Sequence, residues 1–266
     1  MIIGLRDFSA FHLPHLELDK ARHGLILNAL ALAKLEKPVE LSYWTLGNPG
    51  ECAIRVGSHS IVLGALGQNQ CRTLAELADA TDYPGVIGPD LTARWFADRA
   101  QELGRSFAEA EPGQIYSISD PPRYPGVLGQ ARLATGKDAE LVGNWLTAFF
   151  QEAAPYDRLP PRDELELAAG ENRFMFWVDE GRSVSMAGIA RRLKYSAAIT
   201  GVYTPPELRR RGYAGSVTAA TVEPIYAEGR KTACLYTDLR NSDSNRCYIK
   251  IGFRLVSKSL HIHRHT

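Results

Sequence analysis

The chain has 266 residues, 45% of them hydrophobic and 23% charged, with 31 basic against 30 acidic side chains. That length suits two domains, and the apolar fraction excludes a disordered or collagen-like chain. A net charge of +1 argues against a surface given over to nucleic acid, so no nucleic-acid partner is expected. The longest apolar stretches, such as residues 61–66 and 174–178, fall far short of the ~18–20 residues that span a bilayer. No membrane partner is expected either. The start, Met-Ile-Ile-Gly-Leu-Arg-Asp, lacks the basic region and apolar core of a secretory signal. Cys52, Cys71, Cys234 and Cys247 form no CxxC pair, which predicts reduced thiols in a cytoplasmic protein.

In chain order, the first half reads as a hairpin of 52–56 with 60–66, then helices near 74–80 and 91–103. Residues 119–126, Ser-Asp-Pro-Pro-Arg-Tyr-Pro-Gly, hold three prolines and read as a linker. It divides an N-terminal α/β domain, 1–122, from a second domain, 126–266. There a short strand at 129–134 meets Thr135-Gly-Lys-Asp138, a capping box that opens a helix. Leu141, Val142, Trp145, Leu146 and Phe149 recur at helical spacing. A helix at 161–169 follows, then a strand at 174–178, apolar on both faces. Asp179-Glu-Gly-Arg182 turns a hairpin into a strand at 184–191, and the next strand covers 197–203. A helix over 212–228 carries Pro224, which is expected to kink it or end its regular part. A strand at 232–238, a helix at 244–251 closed by Gly252, and a last strand from Phe253 complete the order. The expected fold class is α+β, or mixed α/β, with helices packed on a central, mostly antiparallel sheet.

His261, His263 and His265 alternate near the end, which puts them on one face of a strand and in principle suits a metal. No cysteine or carboxylate pattern accompanies them, so a solvated last strand and no metal are expected.

The loop between residues 203 and 213 carries the chemistry. A strand ends at Pro205-Pro206, three arginines follow, and Gly212, Ala214 and Gly215 open a helix. Small residues let a ligand approach the backbone, and the unpaired N–H groups of a helix start form an anion site. Arginines add charge-assisted bonds to phosphate.

Arg209-x-x-Gly212-x-Ala214 resembles the R/Q-x-x-G-x-G/A signature of the GNAT superfamily, the acyl-CoA-dependent N-acyltransferases. Asn241 and the run Asn245-Arg-Cys-Tyr248-Ile-Lys-Ile-Gly-Phe253 are similar to the family's second block, where an Asn precedes a helix ending Y-x-K-x-G-F. The resemblance covers about residues 129–264 and implies a GNAT-like sheet. It also implies acetyl-CoA as cosubstrate and acetyl or short acyl transfer to a primary amine of a small molecule or protein. Val202 and Thr204 match the splayed-strand positions that pair with pantetheine, with Tyr203 pointing the other way. Arg209, Arg210, Arg211, Gly212, Tyr213, Ala214 and Gly215 match the pyrophosphate loop. Tyr248 matches the tyrosine that protonates the departing thiolate. Asn241 and Asn245 stand at the mouth of its helix, Asn241 equally well as a plain cap. The rival reading is a CoA-binding interaction module without catalysis. No general base is nominated: Glu207 lies in the right loop, Tyr203 and Asp238 near strand ends, and Asp179 and Glu180 on a turn expected to be distant.

In the first half, residues 85–91 resemble 201–208, and 102–105 resemble 227–230. The later copy is longer by nine residues, the length of the segment 209–217. The expectation is a degenerate GNAT-like repeat that has lost its pyrophosphate loop.

Overall fold

The computed structural model describes residues 4–33, 40–153, 159–171 and 173–265. The chain forms two compact units. The first comprises Met1–Ile115, Asp238–Arg240 and Val256–Thr266, and the second Tyr116–Thr237 and Asn241–Leu255.

In the first unit, α1 (Leu5–Leu16) and α2 (Gly24–Ala33) precede β1 (Leu41–Thr45), β2 (Cys52–Val56) and β3 (Ile61–Leu63). Then come α3 (Gln68–Ala78), β4 (Gly85–Pro89), α4 (Asp90–Glu102) and the first part of β5 (Phe107–Ile118). β1 to β3 are antiparallel neighbours, whereas β3 and β4 are parallel, pairing Ile61 with Val86. Beside β4 lies β11 (Arg254–Arg264), antiparallel, with Leu260 opposite Gly88. Leu74, Phe96, Val86, Leu260 and Ile262 share this unit's core. Packing of this kind supplies most of the stability of short helices such as α3 and α4.

The second unit runs β6 (Gln130–Leu133), α5 (Ala139–Ala153), α6 (Arg162–Leu167), β7 (Phe174–Asp179) and β8 (Arg182–Ala190). It continues with β9 (Ser196–Tyr203), α7 (Tyr213–Ala227), β10 (Thr232–Asp238) and α8 (Ser242–Lys250). Strand order is β6-β7-β8-β9-β10. All neighbours are antiparallel except β9 and β10, which are parallel. Two apolar layers cover the sheet. One joins α7 and α8 to it through Val217, Ile225, Tyr248 and Leu235. The other joins α5 and α6 through Val142, Leu146, Leu165 and Phe176. The capping box is present: the Thr135 backbone N–H donates to Asp138 Oδ2 at 2.8 Å. Pro224 does not end α7, which continues to Ala227; the proline falls in the last turn.

Three expectations change. Residues 256–266 do not complete the second half: the outer part of β11 pairs with β4 and counts with the first unit. In return, Tyr116 and Ile118, at the end of β5, lie in the core of the second unit. Residues 119–129 are also more than a linker. The Arg123 N–H donates to the Ile251 carbonyl at 2.9 Å, Tyr226 Oη to the Asp120 carbonyl at 3.2 Å, and Trp177 Nε1 to the Leu128 carbonyl at 2.9 Å. Tyr124 Oη donates to Glu223. The segment is therefore a strap held to α7, to the end of α8 and to β7.

The third change concerns the repeat. The connectivity β2-β3-α3-β4-α4 has the same antiparallel-then-parallel pattern as β8-β9-α7-β10-α8. By connectivity, β4 with Gly85 is the counterpart of β10 rather than of β9. The register read from 85–91 against 201–208 is thus displaced by one strand and one helix.

Candidate active site

The pairing of β9 with β10 covers four residues, from Ser196↔Thr232 to Ile199↔Leu235. Beyond that pair β9 continues to Tyr203, and β8 still accompanies it through Met186↔Tyr203. Parallel strands that part in this way leave backbone donors and acceptors along one edge, which a ligand can use as an added strand. Val202 and Thr204 stand on this stretch. Alternation sends their neighbour Tyr203 the opposite way: Tyr203 is buried in the α5 layer, while Val202 packs against the α7 layer.

Hydrogen bonds brace the end of β9. Ser185 Oγ donates to the Tyr203 carbonyl at 3.0 Å and lies 2.8 Å from Thr204 Oγ1. Arg209 folds back, its Nε donating to the Thr204 carbonyl at 2.9 Å and its Nη2 to Glu152 Oε2 at 2.6 Å. The Arg209 guanidinium also lies 5.9 Å from the Tyr203 ring centre. The first signature arginine is therefore committed to the strand end and to α5.

Arg210 and Gly212 both take left-handed backbone, at φ 63° and 87°, and curl the loop into α7. Gly212 is the N-cap and offers no side chain to the helix start. The first intrahelical bond runs from the Ser216 N–H to the Gly212 carbonyl at 3.1 Å. The N–H groups of Tyr213, Ala214 and Gly215 precede it, at the positive end of the helix dipole. Arg210 and Arg211 are exposed at this end, and Arg211 Nη2 donates to the Glu207 carbonyl at 3.3 Å.

The glycines of this turn answer to the strap. A Cβ on Gly212 would lie 2.7 Å from Val127 Cγ1, and one on Gly215 2.8 Å from Pro125 Cγ. Sequence reasoning assigns the missing side chains to a ligand's approach, whereas the strap already occupies those directions.

Tyr213 Oη donates to Asp179 Oδ2 at 2.6 Å. The hairpin end is thus against the helix start, not distant from it as expected, and this bond with partial burial holds the Tyr213 phenol above its usual range. Glu207 is exposed, and Asp238 pairs with Arg240 at 2.8 Å. Tyr248 lies in the same apolar layer as Ile199 and Leu235, the last paired residues of the parting strands. Its ring centre is 6.4 Å from that of Tyr116 and 6.2 Å from that of Phe253. Burial pushes its phenol well above the usual tyrosine range, with Ser244 as hydrogen-bond partner, so it stays protonated at neutral pH. Asn241 caps α8, its side chain accepting the Ser244 N–H at 3.0 Å. Asn245 sits one turn on, and its N–H donates to the Asn241 carbonyl at 3.1 Å.

Known proteins resemble the chain in sequence and in fold. The family described as FR47-like protein matches residues 178–262. An aminoglycoside N(6′)-acetyltransferase type 1 from Serratia marcescens is 28% identical over 127 residues, covering 44% of this chain and 87% of that protein. A Drosophila protein of solved structure superposes with a TM-score of 0.70 at 15% identity, over 99% of this chain and 97% of that one. A tandem GNAT protein from the clavulanic acid biosynthesis pathway superposes with a TM-score of 0.50 at 11% identity, over 90% and 87%. No helix among the described residues is long and apolar enough to cross a membrane. The chain thus has the mixed α/β fold of tandem GNAT proteins, and residues 178–262 of its second half match the FR47-like family.

Proposed function

We propose that the second unit moves an acetyl or short acyl group from acyl-CoA to a primary amine by direct attack on the thioester. The observation that carries this reading is the end of β9–β10 pairing at Ile199↔Leu235, on a strand that leads straight into the bare N–H groups of α7. The backbone at Val202 and Thr204 takes the pantetheine amides as an added strand. The N–H groups of 213–215 take the pyrophosphate, with Arg210 and Arg211 supplying charge. A backbone N–H on the free edge stabilises the tetrahedral oxyanion, and Tyr248 donates its proton toward the leaving sulfur. Asn241 and Asn245 hold the mouth of α8 beside the pantetheine.

Arg209 acts in this scheme as a brace, since it fixes the Thr204 peptide. Lysine keeps the charge but cannot serve both Thr204 and Glu152 in one plane. Arg209→Lys is therefore expected to weaken acyl-CoA binding about as much as Arg209→Ala, by roughly tenfold. Wild-type affinity in the lysine variant, measured by calorimetry, would show that charge alone matters.

The acceptor is tested by CoA release across a panel of primary amines. The panel holds polyamines, amino acids, peptides with free N-termini, and aminoglycosides bearing the 6′-amine that names the Serratia relative. Saturable release with one class is the expected result. Tight acyl-CoA binding with no release above hydrolysis for any class would favour a binding module instead. Four free thiols, three of them buried, support a cytoplasmic enzyme. The first unit fits a GNAT-like copy without a pyrophosphate loop: only residues 64–67, Gly-Ala-Leu-Gly, separate β3 from α3.

A further inference from the structure

We propose that Glu111, His261 and His263 bind one divalent transition-metal ion of the zinc type within the first unit. The alternation of β11 puts both histidines on one face, and β5, the next strand, supplies the carboxylate. This is the partner that the sequence pattern alone did not reveal. One ligand atom from each of the three residues lies within 4.8 Å of the other two. His261 Nδ1 is 3.6 Å and His263 Nε2 2.7 Å from Glu111 Oε2. The three side chains are 17–23% exposed, shielded yet reachable.

Tetrahedral zinc with bonds of ~2.0–2.1 Å holds its ligand atoms ~3.3–3.5 Å apart. The 3.6 Å His261–Glu111 separation is close to this, and His263 and Glu111, at 2.7 Å, need to part by roughly 0.6–0.8 Å, a small rotation for a glutamate. A second observation points the same way. Ser60 Oγ lies 3.0 Å from His261 Nε2; as acceptor of the Nε2 proton it leaves the Nδ1 lone pair directed at the cluster. Metal-binding histidines are oriented by an outer oxygen in this manner. Two imidazoles and one carboxylate select zinc over magnesium or calcium, which demand oxygen ligands. Three protein ligands leave further coordination to water. His265 stands outside the cluster and is exposed. The ion would tie the last strand to β5, so binding to the folded chain alone must raise its stability.

The test uses the full chain without a histidine tag, freed of metal by a chelator and titrated with zinc sulfate in calorimetric competition with that chelator. One equivalent is expected to bind and to raise the thermal midpoint. In side-chain ¹⁵N spectra, His261 Nδ1 and His263 Nε2 should shift on zinc addition. Glu111→Gln and His263→Asn should each weaken binding tenfold or more, and His265→Asn should leave it unchanged. The proposal falls if no equivalent binds, if His263→Asn binds as the wild type does, or if the zinc-induced shifts arise elsewhere. Should a variant unfold, the nitrogen shifts in the wild-type chain decide by themselves.

Discussion

Tyr248→Phe is expected to lower turnover by about 10²-fold while leaving acyl-CoA affinity and stability nearly intact. General acids contribute ~10²–10⁴-fold, and two facts would place the role proposed for Tyr248 at the bottom of that range. A thiol leaving group has a pKa near ~8.5 and departs readily. Burial also lifts the Tyr248 phenol above its usual range, so full proton transfer to the thiolate runs uphill. In the proposed reaction the hydroxyl would then act chiefly as a donor to charge building on sulfur. The phenylalanine ring would keep its contacts with Tyr116 and Phe253. Single-turnover rates with binding measured separately check this. Unchanged chemistry would make Tyr248 a packing residue and leave the proton to solvent.

Gly212→Val should cost several kcal/mol of stability and at least tenfold in acyl-CoA affinity. Two penalties combine. A β-branched residue at φ 87° incurs left-handed strain of ~1–2 kcal/mol, and its Cβ would press on Val127 Cγ1 from 2.7 Å, an overpacking of ~1–3 kcal/mol. Relief requires the strap or the loop to move, and loop movement would turn the N–H groups of 213–215 away from the pyrophosphate that the proposed function places there. Gly229, just past the end of α7, separates the two effects. It has φ 82°, and a Cβ placed there would meet nothing within 4 Å, so Gly229→Val should carry the strain alone and keep wild-type affinity. Equal loss of affinity in both variants would detach the helix start from the CoA site.

The second half was readable because its signals are local. The capping box at Thr135 and Asp138, the Asp179–Arg182 turn and the spacing of Val142 and Leu146 each act over a few residues. The first half shows its β2–β3 hairpin and helices α3 and α4 to sequence reading but hides α1, α2 and β5. α1 carries Pro14 inside it, and α2 is apolar around most of its circumference, which erases helical periodicity. β5 contains Pro112 and Gly113, residues that argue against a strand. The site divides in the same way. The signature loop and the α8 run are contiguous in sequence, so both were visible. The Asp179–Tyr213 and Glu152–Arg209 bonds span 34 and 57 residues, and nothing local announces them. The same holds for Pro125 and Val127 over the glycines, and for Glu111 beside the histidines.

The passage of β5 and β11 between the two units bears on how the chain folds during synthesis. Nascent proteins commonly fold domain by domain, the N-terminal one first, at ~5–20 residues added per second. Here the first unit cannot close its sheet until residues from Val256 onward have emerged, about 140 residues after Ile115. Translation at that pace leaves the β4 edge without its final partner for roughly 7–30 s. An open strand edge is a template for wrong pairing, including with β11 of another nascent copy. Intermolecular exchange of that strand is thus the misfolding product to expect from this arrangement. A ribosome stalled short of residue 256 should display a first unit that proteases cut readily.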